Sequence, residues 1–186
     1  AFSPDGKKLA FQRASVSSGT TNGRRIWITS IAGGRPVQVA TDPAHYHDAP
    51  TWSPDSESLA YLTSRGGVDQ IALVTAPVGG RAQPTVVLGS VPPFVARPQW
   101  SPDGRWIACE TSDGLTLISP QGKDAHLIAD HGWFAYGWDK EGWRLYGLRA
   151  TADQHHLEFV SIDVATRDTR TLNPNLGVVP QALQPL

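Results

Sequence analysis

Apolar residues in this chain recur in short runs with a period of two. The runs Lys7-Lys8-Leu9-Ala10-Phe11, Glu57-Ser58-Leu59-Ala60-Tyr61, Arg105-Trp106-Ile107-Ala108-Cys109 and Trp143-Arg144-Leu145-Tyr146-Gly147 place a large aliphatic at one fixed offset, with an aromatic or small residue two positions later. Such alternation is strand behaviour. A second β run follows each: Ile26-Trp27-Ile28, Ile71-Ala72-Leu73-Val74, Leu115-Thr116-Leu117-Ile118 and Leu157-Glu158-Phe159-Val160. Turn signals end these runs at Gly33-Gly34, Gly79-Gly80, Gln121-Gly122 and Ala165-Thr166-Arg167-Asp168. A third run closes each unit: Val37-Gln38-Val39, Val86-Val87-Leu88, His126-Leu127-Ile128 and Thr169-Arg170-Thr171-Leu172. No window sustains apolar spacing of three and four, so essentially no helix is expected.

One short motif opens every unit. It reads Phe2-Ser3-Pro4-Asp5-Gly6, Trp52-Ser53-Pro54-Asp55-Ser56, Trp100-Ser101-Pro102-Asp103-Gly104 and, eroded, Trp138-Asp139-Lys140-Glu141-Gly142. The spacing, about 40–50 residues, is that of a four-stranded propeller blade. Ser and Asp side chains bond their own turn backbone, Pro fixes φ near −65°, and the last position takes φ > 0. The motif is therefore expected to be a hairpin turn after the innermost strand, which arrives as in Ala49-Pro50-Thr51-Trp52. Its aromatic is large enough to pack between adjacent sheets. Asp5, Asp55 and Asp103 are then turn residues in separate blades rather than a carboxylate cluster. In the fourth unit Asp139-Lys140-Glu141 replaces Ser-Pro-Asp, and a different turn shape is expected there.

Composition narrows the function. The 186 residues carry a formal net charge of −1, which gives no electrostatic reason to expect nucleic acid or an anionic membrane as partner. No apolar run reaches the ~18 residues of a membrane span. The chain has no Met and begins one residue before a motif, so it is expected to be a piece of a longer protein. Cys109, the single cysteine, sits in a strand signal and is expected to be a buried, inert thiol. Enzyme motifs (a Gly-x-Ser-x-Gly elbow, His-Glu-x-x-His, a phosphate-binding Gly loop) do not occur, and no catalytic residue or cofactor is assigned.

The motif, the Leu/Ile-Ala-aromatic strand and the Ile-Trp strand before Gly-Gly together resemble the TolB-type β-propeller repeat, clearly in the first three units and weakly in the fourth. The resemblance implies an all-β propeller of four-stranded antiparallel blades, with units at approximately 1–43, 48–90, 96–130 and 134–173. Residues 176–186 would start a further inner strand. Either the chain is an arc of a larger ring, which is the favoured reading, or its tail completes the first blade and closes a four-bladed ring. Open blade edges would favour self-association. The resemblance further implies a periplasmic or extracytoplasmic location and a protein partner. Similar repeats occur in prolyl-oligopeptidase-like hydrolases.

Function is expected at the channel-mouth face, where the connections 15–25, 64–69, 112–114 and 150–155 meet the blade-to-blade loops 41–48, 90–97 and 129–134. Loops on a rigid scaffold concentrate binding groups. The candidates are His45, Tyr46, His47, Arg65, Phe94, Arg97, His131, Trp133 and Phe134, residue types enriched at interfaces and not needed to make a turn. His45-x-His47-Asp48 resembles a chelate, but one pair in a loop does not make a converging ligand set, and no metal is assigned. The leading expectation is a non-catalytic interaction module holding an extended peptide or partner loop. The alternatives are a substrate-gating propeller of a peptidase and a small-molecule sensor.

Overall fold

The computed structural model describes residues 1–14, 24–39, 47–64, 71–79, 84–91, 97–151, 156–174 and 176; the side chains at 71, 90, 134 and 135 lie outside this description. Each repeat unit forms its own sheet. Blade 1 is β1 (Lys8–Ala14), β2 (Arg24–Ser30) and β3 (Val37–Gln38). Blade 2 is β4 (His47–Trp52), β5 (Ser58–Ser64), β6 (Ile71–Pro77) and β7 (Thr85–Val91). Blade 3 is β8 (Gln99–Trp100), β9 (Ile107–Thr111), β10 (Gly114–Ile118) and β11 (Ala125–Ala129). Blade 4 is β12 (Trp133–Trp138), β13 (Arg144–Ala150), β14 (Leu157–Asp163) and β15 (Thr169–Asn173). Neighbours pair antiparallel in chain order. In blade 1 the place of the innermost strand is marked by a bridge between Phe2 and Leu9. No helix occurs among the described residues, and none is long and apolar enough to cross a membrane.

The core lies between sheets, not within one. Ala10 and Ile26 of blade 1 cluster with Trp52, Leu59, Tyr61 and Val74 of blade 2. Ala60 and Leu73 of blade 2 cluster with Ile107, Cys109 and Ile118 of blade 3, and Trp100 packs against them. Ala108 and Leu115 of blade 3 cluster with Tyr136, Leu145 and Val160 of blade 4, beside Trp138. The alternation explains this: the aliphatic of the motif strand (Leu59, Ile107, Leu145) faces the preceding blade, and the next residue (Ala10, Ala60, Ala108) faces the following one. A small residue there leaves room for the next motif's Trp. Two of these indoles also donate across the seam, Trp52 Nε1 to Ala1 O at 3.0 Å and Trp138 Nε1 to Gln99 O at 3.2 Å. The Trp100 N–H is buried without a partner.

The motif is a turn held by its own side chains. In blade 3, Ser101 Oγ accepts the Trp106 N–H at 2.9 Å and donates to Asp103 Oδ1 at 2.6 Å, which in turn accepts the Arg105 N–H at 3.0 Å. The same bonds recur around Ser3 and Ser53. The eroded fourth copy keeps the turn, contrary to the expected change of shape. There the single carboxylate oxygen Asp139 Oδ1 accepts both N–H groups, Trp143 at 2.8 Å and Arg144 at 3.1 Å, and Gly142 stands at φ 77. Another Ser-Pro turn closes β10 to β11: Ser119 Oγ accepts from Lys123 and Asp124. Its Gly122, at φ 70, runs so close to blade 2 that a Cβ would lie 2.8 Å from the Val87 carbonyl. Thr75 of blade 2 donates to Pro120 O at 3.1 Å in the same place.

Ser56 occupies the motif's last position at φ 62, a region unfavourable to residues with a Cβ. It has an inter-blade reason to be there: its Oγ accepts the Asp5 N–H at 3.1 Å and its carbonyl accepts Lys8 Nζ at 3.2 Å. Ser56→Ala should therefore lower stability by about 1 kcal/mol in urea unfolding. Ser56→Gly should change it by less than about 0.5 kcal/mol, because relief of the backbone offsets the lost bond. Equal losses for the two would contradict this account.

Candidate functional site

The mouth end is built by the starts of the innermost strands and the connections between the two strands that follow each motif. Of the nine candidate residues, His45, Tyr46, Arg65 and Phe94 lie outside the described residues. Phe134 lies in β12, its side chain outside the description. His131 and Arg97 are exposed. Burial lowers the Ala1 ammonium, and the charge of Arg97 lowers it further. Arg97 makes no ion pair with a described residue.

His47 and Trp133 require correction. Both were expected to be loop anchors, yet they are 4% and 2% exposed and are the first residues of β4 and β12. They occupy the same place in the repeat, five positions before the motif Trp. The innermost strand begins two residues earlier than the Ala49 start read from sequence, and the first side chain turns into the seam. His47 packs edge-on to Tyr61 with ring centroids 5.5 Å apart. Trp133 joins the blade 3–4 cluster, and its indole N–H has no partner. These side chains cap the core of their seams.

The seams differ at one offset that sequence reading missed. Gln12, Leu62 and Glu110 are equivalent positions in blades 1, 2 and 3. Gln12 Nε2 donates to His47 O at 3.1 Å. Leu62 is part of the apolar core. Glu110 Oε1 accepts the Gly132 N–H at 3.1 Å and lies 3.9 Å from His131 Nδ1. The clue was available in the sequence: a carboxylate stands where the aligned strand of blade 2 has leucine. Burial lifts the Glu110 carboxyl above its ordinary value, against the N–H groups of Gly132 and Trp133 and the charge of His131. Nearby in blade 4, Arg149 is cross-strand to both Trp133 and Glu158. Its Nε and Nη2 reach Glu158 Oε1 at 3.0 and 2.5 Å, and Thr171 Oγ1 donates to Glu158 Oε2 at 3.1 Å. Arg24 and Asp48 pair at 3.5 Å across the blade 1–2 seam.

Chemically, the described residues of this end offer paired charges together with the exposed Arg97 and His131. The Cys109 thiol, pushed up to about 12 by burial and then by the charge of Glu110, is no nucleophile. Among the described residues no three His, Cys, Asp or Glu side chains converge as metal ligands. A cleft of about 610 Å³ opens at the opposite end between blades 2 and 3, lined by Pro54, Asp55, Thr75, Trp100, Asp103 and Pro120. Its two carboxylates are already bonded to their own turns.

Comparison with known proteins places the fold. No family model matches the chain. The uncharacterised peptidase YuxL of Bacillus subtilis is 32% identical over 117 residues, which is 61% of this chain and 17% of the peptidase. TolB of Acinetobacter baumannii superposes with a TM-score of 0.72 at 16% identity, covering 93% of this chain and 42% of that one. A Bacteroides ovatus protein assigned as a dipeptidyl aminopeptidase IV superposes with a TM-score of 0.67 at 15% identity, covering 91% of this chain and 32% of that one. The chain thus spans less than half the length of each of these proteins. It is an all-β propeller segment, like the TolB structure on which it superposes.

Two outcomes follow from the mouth geometry. Trp133→Ala should lower stability by about 3–5 kcal/mol in urea unfolding, the range for a large buried aromatic; a loss under 1 kcal/mol would return Trp133 to the surface. Glu110 binds its proton more tightly folded than unfolded, so its contribution is full below the unfolded pKa and is lost as pH rises through the folded pKa. Glu110→Gln should therefore raise the melting temperature relative to the parent at pH 7.5, and the gap should narrow toward pH 4. A gap that does not change with pH would remove the assignment.

Proposed function

We propose that this chain is a non-catalytic recognition segment of a propeller, receiving an extended peptide or partner loop at its mouth end. The observation that carries the reading is the division of labour among polar groups there. Glu158 is occupied by Arg149 and Thr171, and Glu110 by backbone N–H groups, whereas Arg97 and His131 stand exposed on the connections into β8 and β12. An exposed Arg guanidinium is suited to the carbonyl and carboxylate groups of an extended chain.

Two settings accommodate this role. In one the propeller is a scaffold binding envelope proteins, with the extracytoplasmic location that the TolB resemblance implies. In the other it admits substrate to a hydrolase domain carried elsewhere in a longer chain. The match to a peptidase at 32% identity favours the second setting, because it is a likeness of sequence, while the TolB superposition at 16% is a likeness of fold. In both settings this segment holds peptide and does not cleave it.

The test is fluorescence anisotropy with labelled, unstructured octapeptides, half of them bearing an acidic residue. Acidic members should bind better, and Arg97→Ala should weaken them about tenfold, equivalent to about 1.4 kcal/mol, without moving the melting temperature. Indifference of every peptide to Arg97→Ala would remove the proposed site. Hydrolysis of any peptide by this chain would overturn the non-catalytic reading.

A further inference from the structure

The three seams share a core but not an indole bond. On either side of the middle seam, the motif Trp donates its N–H to the carbonyl of the residue just before the preceding blade's motif: Ala1 for Trp52 and Gln99 for Trp138. Thr51 holds that place before Trp52. The Trp100 N–H does not bond to it and is buried with no acceptor among the described residues. A buried donor left unpaired is costly, and an acceptor brought by a ligand would remove that cost. The same seam holds the cleft of about 610 Å³ at the turn end, with Trp100, Pro54, Pro120, Asp55 and Asp103 in its lining. One wall is fixed. The turn 119–122 of blade 3 is pinned to blade 2 where Thr75 Oγ1 donates to Pro120 O at 3.1 Å and where Gly122 stands against the Val87 carbonyl. That wall does not collapse onto Trp100, so the cleft is preformed.

Asp55 and Asp103 belong to separate blades, yet they line this one cleft. Both stay charged. The Ser53 hydroxyl and then the Glu57 N–H hold Asp55 below its ordinary value. At Asp103 burial works the other way, and the bonds from Ser101 and Arg105 outweigh it. Exposed Arg105 pairs with Asp103 Oδ2 at 2.6 Å, and no Lys or Arg stands among the described lining residues. The cleft is therefore anionic and contains a donor that lacks a carbonyl. A simple amine would answer the carboxylates but not the indole, and a neutral amide the indole but not the carboxylates. A peptide bearing Lys or Arg answers both. Proline walls beside an aromatic suit an extended, proline-bearing chain, whose carbonyls point outward and which has few N–H groups of its own to satisfy.

We propose that the cleft between blades 2 and 3 binds an extended basic peptide, one carbonyl of which accepts the Trp100 N–H while a Lys or Arg side chain lies against Asp55 and Asp103. The site is independent of the mouth-end reading, since it stands at the opposite end and prefers the opposite charge. The probe is the capped hexapeptide Pro-Lys-Pro-Pro-Lys-Pro, and its control carries Glu in place of both Lys. The readout is the Trp100 indole N–H signal in a ¹⁵N–¹H spectrum, identified by its loss in Trp100→Phe. The basic peptide should move this signal and the acidic one should not. Thr85 is exposed, lines the cleft and lies outside both motif turns. Thr85→Arg should therefore abolish the shift by supplying the cation from the chain itself. Asp55→Asn should weaken binding about threefold, the size of a solvent-exposed ion pair. Arg97→Ala should leave it unchanged. An equal response to both peptides, no response to the basic one, or full binding by Thr85→Arg overturns the proposal. Loss of the shift in Arg97→Ala would move the peptide to the mouth and overturn it as well.

Discussion

The structure depends on one contact, a motif Trp of one sheet laid across a small residue of the sheet before it. A single antiparallel sheet of four strands has two faces and cannot bury either against itself. Here every fully buried aliphatic of a motif strand reaches its neighbours across a seam. An aromatic of this size buries some 150–250 Å², an upper estimate of about 4–6 kcal/mol at 25 cal/mol per Å². That gain requires the facing residue to yield space, which is why Ala10, Ala60 and Ala108 recur while the residues around them vary. The repeat exists in the sequence because the seam exists in space.

The turn end and the mouth end respond to pH in opposite directions. At the turn end, the Ser3 hydroxyl and the Lys7 N–H hold Asp5 below its ordinary value, and Ser53 and the Glu57 N–H do the same for Asp55. Burial opposes this most strongly at Asp103, but the bonds from Ser101 and Arg105 together outweigh it. Lowered carboxylates contribute stability above their unfolded pKa and lose it as pH falls through the folded value. Glu110 at the mouth end behaves in the reverse sense, because its surroundings disfavour its charge. Acid therefore loosens the turns while relieving the blade 3–4 seam.

The fold was legible because it is periodic. Leu9, Leu59, Ile107 and Leu145 stand at one offset, so a single strand reading could be checked against three others. The site was less legible, for two physical reasons. His47 and Trp133 look like loop anchors because they fall in the blade-to-blade connections read at 41–48 and 129–134; only the ladder shows that pairing starts at them, His47 opposite Thr63 and Trp133 opposite Arg149. The Arg149–Glu158 pair spans two strands nine residues apart, and a cross-strand partner is set by register, which the turn between them determines. Asp139 erred in the other direction: the motif letters were lost, yet one carboxylate does the work of a hydroxyl and a carboxylate, so geometry survived a change that a pattern reads as decay.

Where the chain varies and where it does not separates scaffold from chemistry. The offset held by Ala10, Ala60 and Ala108 lies deep in the seam, and one added methylene there would be felt by a close-packed Trp. Two residues further along the same strand the offset holds Gln12, Leu62 and Glu110: an amide, an aliphatic and a carboxylate. The fold accepts all three because that position meets the backbone at the start of the next inner strand, where N–H and C=O groups are available to satisfy either kind of polar side chain, and an apolar one joins the cluster beneath. Each seam thus reaches the mouth with its own polarity while keeping the same core. The polarity of that end is set by residues the packing leaves unconstrained, whereas Trp133, which a sequence pattern nominates as an anchor, is one the packing has already claimed.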